Sequence, residues 1–157
     1  MPGAAYSVIF PGVPDCAVQN FETPVGSLDR HICQYYDKDV GGGYSTEYFS
    51  LPSKPQTDDP RLILKSAAAG AAQESASEIT RESEILFDGY PALEVAFLTR
   101  EERFLAHVLY VQVEEDVLTA SVDGGSRMHE SPKAAAFLNS LKVSPRSSRE
   151  GLNKRSN

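Results

Sequence analysis

The side chains of this 157-residue chain most suited to catalysis or metal binding are two cysteines and three histidines. His31 and Cys33 stand two apart in a run that reads as a strand, so both point to one face. An imidazole beside a thiolate would make a nucleophile–base pair, or two ligands of a zinc site. Zinc needs one or two more ligands, and the only other thiol is Cys16. The plainer reading is a half-exposed strand face, on which the chain is expected to be no enzyme and to hold no metal or cofactor. Cys16 and Cys33 also have a pairing to consider. If their hairpin closes symmetrically on Pro24 and Val25, position 16 faces position 33 and a cross-strand disulfide can form. A one-residue bulge at Gly26 would instead turn the cysteines to opposite faces. The Pro-Val-Gly order favours the bulge. A disulfide would point to an extracytoplasmic home, and without it the compartment is open.

The remaining candidates read as structure. His107 shares a face with Leu105 and Leu109 and is expected at the core or its edge, hydrogen-bonded to a neighbour. His129, between Met128 and Glu130, reads as an exposed loop residue. Glu101 and Glu102 lie at one end of a strand, and Glu114, Glu115 and Asp116 at the other. About eleven residues at ~3.3 Å each put these clusters roughly 35 Å apart, too far for one acid–base site. Gly41-Gly42-Gly43 and Gly124-Gly125-Ser126 lack the lysine and the strand–helix context of a phosphate loop. The Gly-x-Ser-x-Gly of a nucleophile elbow is absent. What is left is surface: Tyr35, Tyr36, Tyr44, Tyr48 and Phe49 gather around the glycine loop and form a candidate partner surface.

Composition bounds these readings. The formal charge is −7. Lys142 to Asn157 carries five basic residues and Glu150, a net +4, which leaves −11 on residues 1–141. An acidic body repels a phosphate backbone, so nucleic acid is not an expected partner. The tail, 144–157, reads as basic and disordered. No apolar run approaches the ~18–20 residues of a membrane-spanning helix, and the N-terminus has neither basic nor apolar region of a signal peptide.

The elements that would position these residues follow from periodicity. Residues 6–10 alternate as a strand that stops at Pro11-Gly12. Strands are expected at 16–21 and 28–36, a loop at 37–43 and a strand at 44–51. Asp59-Pro60 is a helix start, with a capping carboxylate and then proline at the first helical position. The Ala-rich helix after it, 61–77, presents a narrow stripe of small residues that can lie close on a sheet. A meander then runs through 79–87, 91–98, 103–113 and 117–122. The run 103–113, apolar on both faces, is expected as a central strand. Ser131-Pro132 starts a last short helix. This order makes one α+β domain, an antiparallel sheet flanked by helices.

Five segments, in order, resemble one known group: Tyr-Ser-Val-Ile-Phe-Pro-Gly-Val-Pro at 6–14, Thr-Pro-Val-Gly at 23–26, the Ala-rich helix, Phe-Asp-Gly-Tyr-Pro-Ala-Leu-Glu-Val at 87–95 and Phe-Leu-Asn-Ser-Leu-Lys-Val at 137–143. Together they resemble bacterial domains of the PsbP-like superfamily, which includes the extrinsic photosystem II protein P and the eukaryotic Ran-release factor. The resemblance covers about 5–143. It implies an α/β/α sandwich and work as a protein-interaction or assembly module, with another protein as partner, and it carries over no site residue. The rival reading is a small-ligand carrier with an apolar pocket between the sheet and the Ala-rich helix.

Overall fold

Tight turns and alternating side chains lay out most of the sheet. The computed structural model describes residues 6–23, 26–51, 59–99 and 104–144. After the short strand β1 (Tyr6–Ser7), strands β2 (Asp15–Thr23), β3 (Gly26–Asp37) and β4 (Gly42–Ser50) form consecutive antiparallel pairs. Helix α1 (Pro60–Glu74) precedes the meander β5 (Ser77–Phe87), β6 (Tyr90–Thr99), β7 (Leu105–Val113) and β8 (Asp116–Gly124). Helices α2 (Ser126–His129) and α3 (Pro132–Ser140) lead to β9 (Lys142–Val143). The seven-stranded sheet has the order β2-β3-β4-β8-β7-β6-β5, while β1 and β9 pair as a separate ribbon. The run expected as a central strand is β7, an interior strand between β6 and β8, and β8 stands at the middle of the order.

Helix α1 begins as its sequence dictates. Asp59 caps it by accepting the Arg61 amide at 3.0 Å, and Pro60 occupies the first turn, where no amide partner is lost. Its stripe buries Leu64 and Ala68 against Leu93, Val95 and Phe97 of β6, Tyr110 of β7 and Val117 of β8. Ser131 caps α3 in the same way, and Phe137 goes into the opposite face with Tyr44, Val111, Leu118 and Val122. Burying one such large side chain stabilises by roughly 1.5–3 kcal/mol. Both faces of the central strands are thus covered, and the molecule is an α+β sandwich in one domain.

Three expectations need correcting. Strand 6–10 shrinks to Tyr6–Ser7, because the segment after it serves as a strap. Tyr6, Val8 and Phe10 pack on the core of the α3 face, with Phe10 5.0 Å from the Phe137 ring. Burial, not a ladder, satisfies its alternation. The bulge favoured at Gly26 does not form. Thr23 pairs with Gly26 and Cys16 with Cys33, and the two cysteines are bonded. The glycine loop is also shorter than expected, since Gly42 and Gly43 belong to β4. A side chain at Gly42 would strike Met128 and the Asp123 carbonyl. Residues 24–25, 52–58, 100–103 and 145–157, which include Glu101, Glu102 and nearly all of the basic tail, lie outside the described residues.

Candidate functional site

The sequence-based candidates do not converge. Cys33 is bonded to Cys16 and supplies no thiolate. His31 stacks flat on Tyr48, ring centroids 4.3 Å apart. The five aromatic residues divide by strand period. Tyr35, Tyr44 and Tyr48 face the α3 side, where Tyr44 is 1% exposed and Tyr48 is buried. Phe49 packs with the α1 side, and Tyr36 is exposed on that side of β3. They are not one surface, and Tyr44 and Tyr48 belong to the core.

The other histidines depart from expectation together. His107 is exposed rather than at the core, and its ring lies 4.8 Å from that of His129. His129 is held at the end of α2, its Nε2–H donating to the Leu105 carbonyl at 2.7 Å. Partial desolvation of its ring, and then the neighbouring His129, pull the His107 pKa below its ordinary value. Among the described residues, no group of three or more His, Cys, Asp or Glu could hold a metal ion. The acidic turn also divides. Glu114 and Glu115 are exposed, whereas Asp116 is buried in β8 and accepts from Ser50 Oγ at 2.6 Å. At the far end of the sheet, Asp37 is buried and accepts from Lys133 Nζ at 2.8 Å, tying β3 to α3. That ammonium holds the Asp37 carboxyl below its usual range.

The feature that concentrates apolar surface and charge is a cleft the sequence did not locate in detail. It lies where the first turns of α1 meet the distal end of the β5–β6 hairpin, and its volume is about 610 Å³. Buried Leu64 and Leu93 form its base, with Leu86 and Pro91 beside them. Leu86 is 74% exposed, so this wall is open to solvent. Asp59, Arg61 and Glu84 line the same cleft. Each has a partner within the chain. Asp59 and Arg61 pair at 3.2 Å, and Lys65 Nζ reaches Glu84 at 2.8 Å and Glu82 at 3.3 Å. The Lys65 hydrogen bond draws the Glu84 pKa down, and the Arg61 hydrogen bonds do the same for Asp59. The Lys65 pairs tie α1 to β5, while Asp59 and Arg61 pair locally at the helix start. A sequence signal was present in part: Asp59-Pro60 marks the helix start, and Leu86 breaks the alternation of its strand.

No protein-family model matches the chain, and no curated protein matches it in sequence. Among solved structures it is similar to PA94 from Pseudomonas aeruginosa, a protein of unknown function described as a putative regulator. The TM-score is 0.54 at 12% identity, covering 82% of this chain and 98% of that one. It is also similar to the cyanobacterial PsbP (CyanoP) of Synechocystis sp. PCC 6803, with a TM-score of 0.47 at 13% identity over 84% of this chain and 95% of that one. What the chain shares with the first, over most of its length, is the fold: an antiparallel sheet with helices packed on it.

Proposed function

We propose that this protein is a non-catalytic binding module that takes an apolar segment of a protein partner in the cleft between α1 and the β5–β6 hairpin. The observation that carries the reading is Leu86, an apolar side chain left 74% exposed beside a base of buried leucines. An open wall suits a segment that extends beyond the cleft, whereas small-molecule sites cover most of their ligand. Leu62, on the first turn of α1, is also exposed at 52% and widens the apolar surface of that end. The absence of catalysis is supported by the engagement of Cys33 in the bond to Cys16. The Cys16–Cys33 bond favours work in an oxidising compartment, where such bonds persist.

A second reading, a small-ligand carrier, is favoured by the cleft volume of about 610 Å³, within the range of ligand sites. One variant separates the two. Leu86→Asp leaves the core intact, so its melting temperature should match the wild type. A protein captured by the immobilised wild-type chain and lost by Leu86→Asp supports the module. Leu86-dependent thermal stabilisation by a fatty acid, with no captured protein, supports the carrier. If neither effect depends on Leu86, the cleft is not the site.

A further inference from the structure

The seven-stranded sheet ends in two edges of opposite character. The β5 edge carries Glu78, Arg81, Glu82 and Glu84 and loses register between Ile79 and Arg81. Charges and irregularities of this kind keep a free edge from pairing. The β2 edge has no Pro, Lys or Arg over its nine residues, and it keeps a regular ladder to β3 from Asp15 to Thr23. Val18, midway along it, is 58% exposed. Among the described residues, no strand pairs with the outer side of β2.

The backbone groups on that side can be assigned. Cys16 and Cys33 have Cα atoms 4.1 Å apart. Such close spacing belongs to the non-hydrogen-bonded pairs of an antiparallel ladder, so Cys16 and, at period two, Val18, Asn20 and Glu22 aim their N–H and C=O groups outward. The bonded cysteines hold this row in place against β3.

We propose that a second copy of this chain pairs antiparallel with β2, Val18 opposite Val18, joining the two sheets across a two-fold axis. In a two-fold pair of identical antiparallel strands, the axis passes between a residue and its own copy. Centring on Val18 buries the exposed valine against itself and sets Cys16 opposite Asn20 on both sides, giving about six backbone hydrogen bonds. On the α1 face it sets Asp15 opposite Phe21. The Arg30 guanidinium lies 5.4 Å from the Phe21 ring centroid and also faces Glu47 and Glu74 at 3.7 Å each, so each Asp15 comes to the edge of an ion-pair network of the other copy. No like charges oppose one another. Centring on Asn20 would instead place the charged Glu22 against the apolar Val18. On the α3 face, the row formed by Tyr48, His31 and Val18 runs on into the same row of the copy. The strand is thus complementary to itself. The cleft lies towards the other edge of the sheet, so pairing leaves both clefts open, and this inference does not depend on the proposed ligand.

Sedimentation equilibrium of the full chain, from ~10 μM to ~1 mM, tests it over the range suited to a small interface. The wild type should pass from monomer to dimer. Val18→Lys sets two ammonium groups opposite each other and should weaken the dimer by about tenfold or more. Val18→Pro removes an outward N–H while sparing the β3 ladder, and should do the same. Leu86→Asp should leave it unchanged. Circular dichroism checks that each variant is folded, and should the proline variant fail to fold, Val18→Lys decides alone. A wild-type chain that stays monomeric throughout overturns self-pairing and leaves the edge to an extended segment of another protein. A dimer insensitive to Val18→Lys, or one lost on Leu86→Asp, overturns it as well.

Discussion

Reducing the Cys16–Cys33 bond should cost the protein about 3 kcal/mol, and the number can be worked from the structure. The bond closes a segment of sequence separation 17. In the chain-entropy treatment, a loop of that length removes roughly 10 cal/mol/K from the unfolded ensemble, about 3 kcal/mol at 25 °C. The folded state loses little, because the two residues already face each other in a ladder that continues on both sides of them. Reduction is a cleaner perturbation than substitution, since Cys33 is only 7% exposed and truncating it would add a packing loss. The assay is urea unfolding of the same preparation with and without a dithiol reductant, with intact mass confirming the gain of two hydrogen atoms. A loss of ~3 kcal/mol corresponds to about 1–3 M in urea midpoint, or roughly 6–12 °C in melting temperature for a domain this size. Oxidised and reduced curves that coincide within about 0.5 kcal/mol would refute the reasoning, because the bond would then constrain no part of the chain that unfolds cooperatively.

Three further outcomes are expected. Phe137→Ala should destabilise by about 3–5 kcal/mol in urea unfolding, since the ring is 1% exposed and packs on Phe10 and Tyr44 at 5.0 and 5.2 Å. Gly12→Ala should destabilise by roughly 1–3 kcal/mol, because a methyl group there overlaps the Tyr35 ring; most of the loss should vanish in a Tyr35→Ala background, as a double-mutant cycle can measure. Lys133→Met should lower stability at neutral pH by leaving the buried Asp37 carboxylate without its ammonium. Asp37 has a depressed pKa, so the pair's contribution is complete above the ordinary carboxylate value, ~3.9, and is lost as pH falls through the lower folded value. The gap between wild type and variant in thermal melts should therefore narrow as pH falls below about 4, and a gap constant from pH 7 to pH 2 would contradict the pairing.

Periodicity made most of the sheet legible, and local capping chemistry made the helix starts legible. Asp59-Pro60 and Ser131-Pro132 act where they stand, so their meaning does not depend on distant residues. The failures share a cause. Alternation at Tyr6, Val8 and Phe10 records which side is buried, and a strap over a sheet produces the same pattern as a strand in a ladder. Tyr44 and Tyr48 share a face by spacing alone, but both faces of β4 have cover. No local signal says that α3 and the strap bury the tyrosine side. The cysteine pairing turned on whether two residues or a bulge closes one hairpin, and either closure suits Pro-Val-Gly. Helix α2, of four residues, is too short to leave a period. The cleft is made by two segments that meet only in the folded chain, so the sequence indicated a pocket near the Ala-rich helix without its position or lining.

The ribbon formed by β1 and β9 has a mechanical consequence. Tyr6 pairs with Val143 and Ser7 with Lys142, so the first and last strands of the described body lie side by side. Tension applied outward from Tyr6 and Val143 would reach these pairs one after another, as in a zipper, rather than shearing them together. The ribbon should open at low force while the seven-stranded sheet holds, freeing the strap at 8–14 from the α3 face. Beyond the ribbon, Asp88 accepts a hydrogen bond from the Val143 amide at 3.3 Å, so the same pull is felt at the β5–β6 turn, whose strands line the cleft. A tether on either side of this body would thus act first on the two residue pairs of the ribbon, and then on the hairpin turn beside the cleft.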